Sequence, residues 1–463
     1  MTSSPPRLLS VDENIRGSGG HYLELASLLI DGAKELGYLP TLGVHQCFMA
    51  DEPIAGQATP QHDLSSQRQF PIFPVFRSRR MNYWSLGVDG RSKAQRDFGG
   101  RPVGGNRLSR TAQYLSDSLS RRQRNPALMI KQWSDDFLTL LRQWQPQRED
   151  QILINTTDDF VMLALADAVG KYKSDTPLNL NAIFHFAVFA SNQITPRARM
   201  FGQQVSRAVN AMSAHHVSLF ATTQSLSSQL SAVGVTNVPV TYPTRQREIC
   251  AASAEQPLKI LMAGMPRAEK GRDQIPSLLA KIYKPFLAES QFRFSMQMRP
   301  KAWKQLIPKQ LHDEYHNAVS QQHNLADHAG PLEIVSSDLP GQDYHEWLGT
   351  ADVGLFLYDP VRYVARCSGV LLEMMVAGVP VIVPRHCWLH DQLELAGGDG
   401  AVGYSYQSIE EIPQLLSKIH DGYPALRKRA AKYAAVMAGR HTGANTLRAM
   451  DLPEITVQYR RAS

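Results

Sequence analysis

Residues 363–383 read YVARCSGVLLEMMVAGVPVIV, and this stretch decides the fold class. From Gly369 to Ala377 it has the composition of a helix, with Ser368 in the N-cap position and Gly378 where a helix stop belongs. Val379–Val383 is a short apolar, β-branched run, as expected of a strand buried on both faces of a parallel sheet. A helix entered through Ser368-Gly369 presents unpaired N–H groups and the positive end of its dipole, which suits phosphate oxygens. Arg366 adds a cation there, and Glu373, one turn in, can accept the hydroxyl hydrogen bonds of a ribose. Ser368 could equally serve only as a cap, and Glu373 only as a salt-bridge partner. Their combination in one loop–helix–strand unit favours the binding reading.

Short apolar runs alternate with helical patterns on both sides of this stretch, the mark of parallel sheets covered by helices. Strands are expected near Leu8–Val11, Leu42–Val44, Ile152–Ile154, Ala182–Phe186 and Val217–Ala221. Helices are expected from His21 to Leu36 and from Ala127 to Trp144. A polar stretch, Thr244 to Pro257, lacks periodicity and reads as a linker. The alternation then restarts with strands at Leu258–Ala263, Phe292–Met298, Leu332–Ser336, Val353–Tyr358, Val379–Val383 and Ala401–Tyr404, and a helix at Pro276–Phe286. From Tyr423 to about Leu452 the pattern is helix, a break at Gly439–Gly443, and helix again. The expected organisation is a first domain over 1–244, interrupted by an insertion at about 46–125, a second over 258–435, and a helical segment over 436–463.

Two further loops could meet an anion. Gly17-Ser18-Gly19-Gly20-His21 joins the first strand to its helix, where glycines let the backbone approach a ligand. Its spacing is not GxGxxG and no acidic residue follows at a second strand end, which disfavours a dinucleotide site; a plain tight turn is the even alternative. Gly264-Met265-Pro266-Arg267-Ala268-Glu269-Lys270-Gly271 follows the first strand of the second half. Arg267 and Lys270 could there neutralise a departing diphosphate, though isolated Arg and Lys by default face solvent.

Taken together, the GGH loop, the loop carrying Arg267 and Lys270, and the SGxxxE helix ending in AGVPVIVP resemble the GT4-type (group 1) retaining glycosyltransferases of the GT-B fold. The resemblance covers nearly the whole chain outside the 46–125 stretch. It implies an α/β protein with two Rossmann-like domains facing a central cleft and a C-terminal helix returning to the first domain. It implies a hexosyltransferase that moves a hexose from a nucleoside diphosphate sugar to an acceptor hydroxyl, as in polysaccharide biosynthesis, with retention and without a metal or cofactor. Arg267, Lys270, Arg366, Ser368 and Gly369 would hold the donor diphosphate, and Glu373 the ribose. Gly20 and His185 would stand at the reaction centre, with Gly19, His21 and Asp158 on the acceptor or sugar side. His185 lies among apolar residues, where a satisfied core histidine is the commoner outcome, and Asp158 also suits a helix start. The sequence departs from the family in placing Ala365 where a Glu usually precedes the second Glu by eight residues, and in bringing Arg267 and Lys270 closer together. Ala365 keeps open a non-catalytic sugar-nucleotide-binding protein, and the fold keeps open a sugar-nucleotide epimerase or a phosphorylase, although no convincing pyridoxal phosphate lysine is evident.

Composition agrees with this reading. The 463 residues are enough for two α/β domains, and 43% are hydrophobic, as in globular proteins. The N-terminus lacks a signal-peptide pattern, and no run of eighteen apolar residues occurs. Cys47, Cys250, Cys367 and Cys387 are scattered singly and the histidines lack ligand spacing, so free thiols, a cytoplasmic location and no metal site are expected. The net charge of +7 is uneven: twelve basic residues against three acids lie between Arg77 and Arg124, interleaved with Tyr83, Trp84 and Phe98. This stretch fits either peripheral contact with the anionic inner face of a membrane, or with an acidic acceptor, or a solvated loop. The expected acceptor is a carbohydrate or a lipid-linked carbohydrate. No nucleic-acid motif accompanies the charge.

Overall fold

The computed structural model describes residues 5–17, 20–49, 70–77, 126–190, 194–246, 249, 257–299, 302–320, 330–336, 339 and 341–455. Gly19, Cys250 and all the basic residues from Arg79 to Arg124 lie outside them.

The first half contains β1 (Arg7–Asp12), α1 (His21–Glu35), β2 (Leu39–His45), β3 (Ile72–Phe76), α2 (Pro126–Trp144), β4 (Gln151–Thr157), α3 (Asp159–Tyr172), β5 (Asn179–Phe184), α4 (Pro196–Ala211), β6 (His216–Ala221), α5 (Gln224–Ala232) and β7 (Val238–Pro239). The second contains β8 (Leu258–Met262), α6 (Ile275–Ile282), β9 (Phe292–Met298), α7 (Trp303–Leu306), α8 (His312–Ser320), β10 (Leu332–Ser336), α9 (Gly341–Gly349), β11 (Val353–Leu355), α10 (Gly369–Val376), β12 (Val381–Pro384), α11 (Trp388–Leu395), β13 (Gly403–Tyr406), α12 (Ile412–Arg440) and α13 (Gly443–Arg448). The chain divides into two compact units, Met1–Pro243 with Gly443–Ser463, and Thr244–Thr442.

In the first unit the strands form a parallel sheet in the order β3-β2-β1-β4-β5-β6-β7. The direction of winding reverses between β1 and β4, the switch point at which loops part and leave a crevice at the carboxyl edge. Leu8, Leu9, Val11 and Ile152–Ile154 are buried, which is why these strands read as largely apolar runs. β3 falls inside the stretch expected to be an insertion; it is an edge strand, where Pro74 costs no ladder bond that the sheet needs. Arg77, the first of the twelve cations, is anchored to Asp136 of α2 at 2.6 Å. The end of the chain returns to this unit, where Ala444, Leu447, Met450 and Leu452 join Leu25, Leu29, Ala33 and Leu36 in one apolar cluster.

The second unit has a parallel sheet in the order β10-β9-β8-β11-β12-β13, reversing between β8 and β11. β11 ends at Leu355, earlier than expected, because Leu357 and Tyr358 leave the sheet to form the loop described below. β12 begins at Val381 because Gly378 and Val379 close α10, with Val379 N–H donating to the Met374 carbonyl at 2.9 Å, and Pro380 has no N–H to give a ladder. The last helices break at His441–Thr442. Among the described residues no helix is long and apolar enough to cross a membrane, and Cys47, Cys367 and Cys387 are free thiols.

Candidate functional site

In the second unit, the loops after β8 and β11 meet at the switch point. They are tied together by Asp359 N–H, which donates to the Glu269 carbonyl at 3.0 Å. Gly264 N–H donates to Gln297 Oε1 of β9 at 2.9 Å, fixing the start of the β8 loop. A tight turn follows: Lys270 N–H donates to the Arg267 carbonyl at 2.9 Å, and Arg272 N–H to the same oxygen at 3.1 Å. This turn sets Arg267 outward and exposed while directing Lys270 inward.

Lys270 Nζ stands 5.2 Å from the centroid of the buried Tyr358 ring, and Arg366 Cζ 5.2 Å from that of Tyr363. The two rings are themselves 4.4 Å apart. Each of the two cations thus lies over an aromatic face, whose quadrupole attracts positive charge. Burial pushes the Lys270 ammonium below the ordinary lysine value; the charges of Arg366 and Arg267 push the same way, against Tyr363 and Glu269. Arg267 meets Glu269 only at 3.9 Å, from a side chain 65% exposed. The like charges of Arg366 and Arg267 therefore both bear on Lys270, an electrostatic condition that a bound anion would relieve.

α10 starts beside them. Ser368 caps it, its hydroxyl accepting from Leu371 N–H at 3.3 Å, which leaves that hydroxyl's own proton to be donated elsewhere. Glu373 is buried one turn later, and Ala365 is fully buried ahead of the cap. The Tyr358 hydroxyl lies buried beside Ser368, with no partner of good hydrogen-bond geometry among the described residues. Its pKa is pushed up to about 12, chiefly by burial, so the phenol stays a neutral donor. All six donor-side residues singled out in the sequence, Arg267, Lys270, Arg366, Ser368, Gly369 and Glu373, belong to the two loops and helix at this switch point.

In the first unit the candidates also follow strand ends. His185 follows β5, buried, with Nε2 2.5 Å from the Asn155 carbonyl of β4 and its ring edge-on to Tyr242 at 5.8 Å. Asp158 follows β4 and caps α3, its carboxylate accepting from Val161 N–H at 3.0 Å. Gly20 precedes α1 with open space at its Cα, and His21 is exposed at the first position of that helix. The sequence reading passed over Asp12 and Glu13, two buried acids at the end of β1. Asp12 accepts from Asn14 N–H and from Thr156 Oγ1, each at 2.9 Å, which links the ends of β1 and β4. The signal was available, since acids directly after a buried strand of a parallel sheet sit at its carboxyl edge. Tyr358 and Tyr363 were also passed over, because aromatic residues flanking a buried strand read as core.

No known family's sequence profile matches the chain, and no curated protein matches it. Solved structures do match its fold. An α,α-trehalose-phosphate synthase (UDP-forming) from Burkholderia xenovorans, in complex with glucose-6-phosphate, is 13% identical with a TM-score of 0.56, over 96% of this chain and 100% of its own. Anabaena HepE in complex with UDP is 13% identical with a TM-score of 0.55, over 96% and 99%. A sucrose-phosphate synthase from Thermosynechococcus elongatus is 12% identical with a TM-score of 0.53, over 96% of each chain. At such identities the likeness concerns the fold: this chain has the GT-B fold, with two Rossmann-like domains.

Proposed function

We propose that this protein is a hexosyltransferase that uses a nucleoside diphosphate sugar as donor and an acceptor hydroxyl as nucleophile. One observation carries the reading: Lys270 lies within the field of both Arg366 and Arg267, next to the capped N-terminus of α10, with the buried Glu373 one turn along. As the bond between the anomeric carbon and the phosphate oxygen breaks, the electron pair leaves with the diphosphate, and negative charge grows where these cations and the Ser368-Gly369 N–H groups stand. Charge stabilisation of this kind supports a reaction without a metal. Glu373 would accept the ribose hydroxyls, since a carboxylate facing a diphosphate directly would be repelled. His185 and the Gly20 loop would serve the sugar and acceptor side, and retention of configuration follows from the GT4 resemblance. UDP-linked hexoses are the first donors to test, because HepE is known in complex with UDP-glucose and the trehalose-phosphate synthase is UDP-forming. The acceptor would be a carbohydrate, free or lipid-linked, and the basic stretch would bring the protein to an anionic membrane surface.

The buried Ala365 supports a second reading, a protein that binds sugar nucleotides without transferring. Nucleotide release measured over UDP-, GDP- and ADP-hexoses, with and without acceptor extracts, separates the two. Acceptor-dependent release abolished by Lys270→Ala is the expected result. Tight donor binding with no release under any acceptor would leave the non-catalytic reading, and no nucleotide binding at all would sink both.

A further inference from the structure

The second unit also contains a cavity of about 370 Å³ whose lining includes Arg267, Arg272 and Arg299 together with Gln305, Met265 and Leu306. The three arginines come from two segments: Arg267 and Arg272 from the connection between β8 and α6, and Arg299 directly after β9. They meet because β8 and β9 are neighbours in the sheet and their carboxyl ends lie side by side.

Among the described residues no acid lines this cavity. The Arg272 guanidinium hydrogen-bonds Gln305, a neutral partner that orients the fork and leaves its charge uncompensated. Among the described residues Arg299 has no ion pair, and the nearest approach of Arg267 to an acid is the 3.9 Å contact with Glu269. Exposed arginines are ordinarily spread apart by repulsion or matched with acids; three around one concavity with apolar walls are the opposite case. Guanidinium forks suit the planar, bidentate recognition of phosphate oxygens, and the apolar wall suits the carbon skeleton that carries the phosphate. The volume lies at the low end of the roughly 300–1,000 Å³ spanned by small-molecule sites, room enough for a phosphorylated monosaccharide.

We propose that this cavity binds a phosphomonoester, carried by a small polyol or by a lipid head group, beside the diphosphate held by Lys270, Arg366 and α10, with Arg267 shared between the two and Arg272 and Arg299 belonging to the phosphomonoester alone. The proposal stands whether or not the protein transfers sugar, because it concerns residues that the donor reading leaves unused, Arg272 and Arg299. The test uses the full-length protein and calorimetric titration with hexose 1- and 6-phosphates, glycerol 3-phosphate and inorganic phosphate, each against its unphosphorylated parent where one exists. Co-sedimentation with phosphatidylcholine vesicles, with and without phosphatidic acid, runs in parallel. Binding of a phosphorylated compound at least ten-fold tighter than its parent identifies a soluble source; binding confined to phosphatidic acid vesicles identifies a lipid source. In either case Arg299→Ala and Arg272→Gln should each weaken binding at least five-fold, Arg299→Lys should recover part of the loss, and nucleoside diphosphate affinity should change less than two-fold. If neither source binds in an Arg299-dependent way, or if Arg299→Ala weakens nucleoside diphosphate equally, the cavity is not a separate phosphomonoester site. A failure of the donor reading looks different: nucleoside diphosphate then fails to bind the unaltered protein, whatever the phosphomonoesters do.

Discussion

Lys270 Nζ occupies the space that a side chain on Gly264 would need: a Cβ built on Gly264 stands 2.5 Å from it. Gly264 also has φ +84°, a region that costs a non-glycine residue about 1–2 kcal/mol. Gly264→Ala is therefore expected to push Lys270 off the Tyr358 ring. The expected outcome is a roughly ten-fold loss of nucleoside diphosphate affinity, about 1.4 kcal/mol, by calorimetry, with a modest fall in melting temperature. Unchanged affinity in this variant would remove Lys270 from the site.

The lowered pKa of Lys270 gives binding a pH dependence of definite sign. Burial, then Arg366 and Arg267, hold its folded pKa below the ordinary lysine value. The unfolded chain therefore binds more protons in the interval between the two values, so this group's contribution to stability rises with pH there and is lost as pH falls through it. A bound diphosphate reverses the penalty and raises the pKa, so binding takes up a proton in the same interval. Affinity should fall as pH climbs through the lowered value. Lys270→Arg, always charged, should flatten that fall, and titration in buffers of different ionisation enthalpy should register the proton uptake.

At the opposite end of the second sheet, Lys259 Nζ pairs with Glu333 at 2.5 Å, both side chains 3% exposed. Asp352 accepts from Lys259 N–H at 2.8 Å and from the Tyr423 hydroxyl of α12 at 2.6 Å. Burial pushes the Lys259 pKa down, against the opposing pull of the Glu333 and Asp352 charges. Lys259→Met alone strands a buried carboxylate and should cost about 3–5 kcal/mol in urea unfolding, while Lys259→Met with Glu333→Leu should recover most of it. Nucleoside diphosphate affinity should not change in the double variant. A double variant as unstable as the single would show that the pair itself, rather than the stranded charge, sets the cost.

Most of the fold was legible because short strand-like runs alternate with helical patterns: Phe292–Met298 reads FRFSMQM and Leu332–Ser336 reads LEIVS, and at both the expected and observed bounds coincide. β3 was not, since an edge strand with a proline and one covered face has neither an alternating nor a continuous pattern. The residues proposed for the donor side stood out because glycine, serine and charged residues contrast with the apolar runs beside them. Tyr358, Arg272 and Arg299 were not: their roles depend on which strand ends lie side by side, and sheet order is a property of pairing rather than of local composition.

The return of the chain to its first unit rests on the crossing of α1 and α13, and two glycines make that crossing possible. A Cβ on Gly32 would overlap the backbone of Gly443 and Ala444, and a Cβ on Gly443 would overlap the Leu28 carbonyl. The two helices therefore meet backbone to backbone, and this approach seats Ala444 and Leu447 among Leu25, Leu29 and Ala33. In a helix interior, Gly→Ala is normally favourable by roughly 0.5–1 kcal/mol through chain entropy. Here overpacking should win: moving one helix off the other loses close packing along the whole seam, and such changes cost about 1–3 kcal/mol or more. Gly32→Ala should therefore lower stability by at least about 2 kcal/mol in urea unfolding. Gly170, exposed in α3 with nothing within 4 Å of its own built Cβ, supplies the control, and Gly170→Ala should be neutral or stabilising. If both substitutions behave alike, helix propensity rather than the α1–α13 contact governs Gly32, and the C-terminal segment is not held by this crossing. If Gly32→Ala alone destabilises, removal of residues 443–463 should be at least as damaging, because it strips apolar partners from the same cluster without offering α1 anything in return.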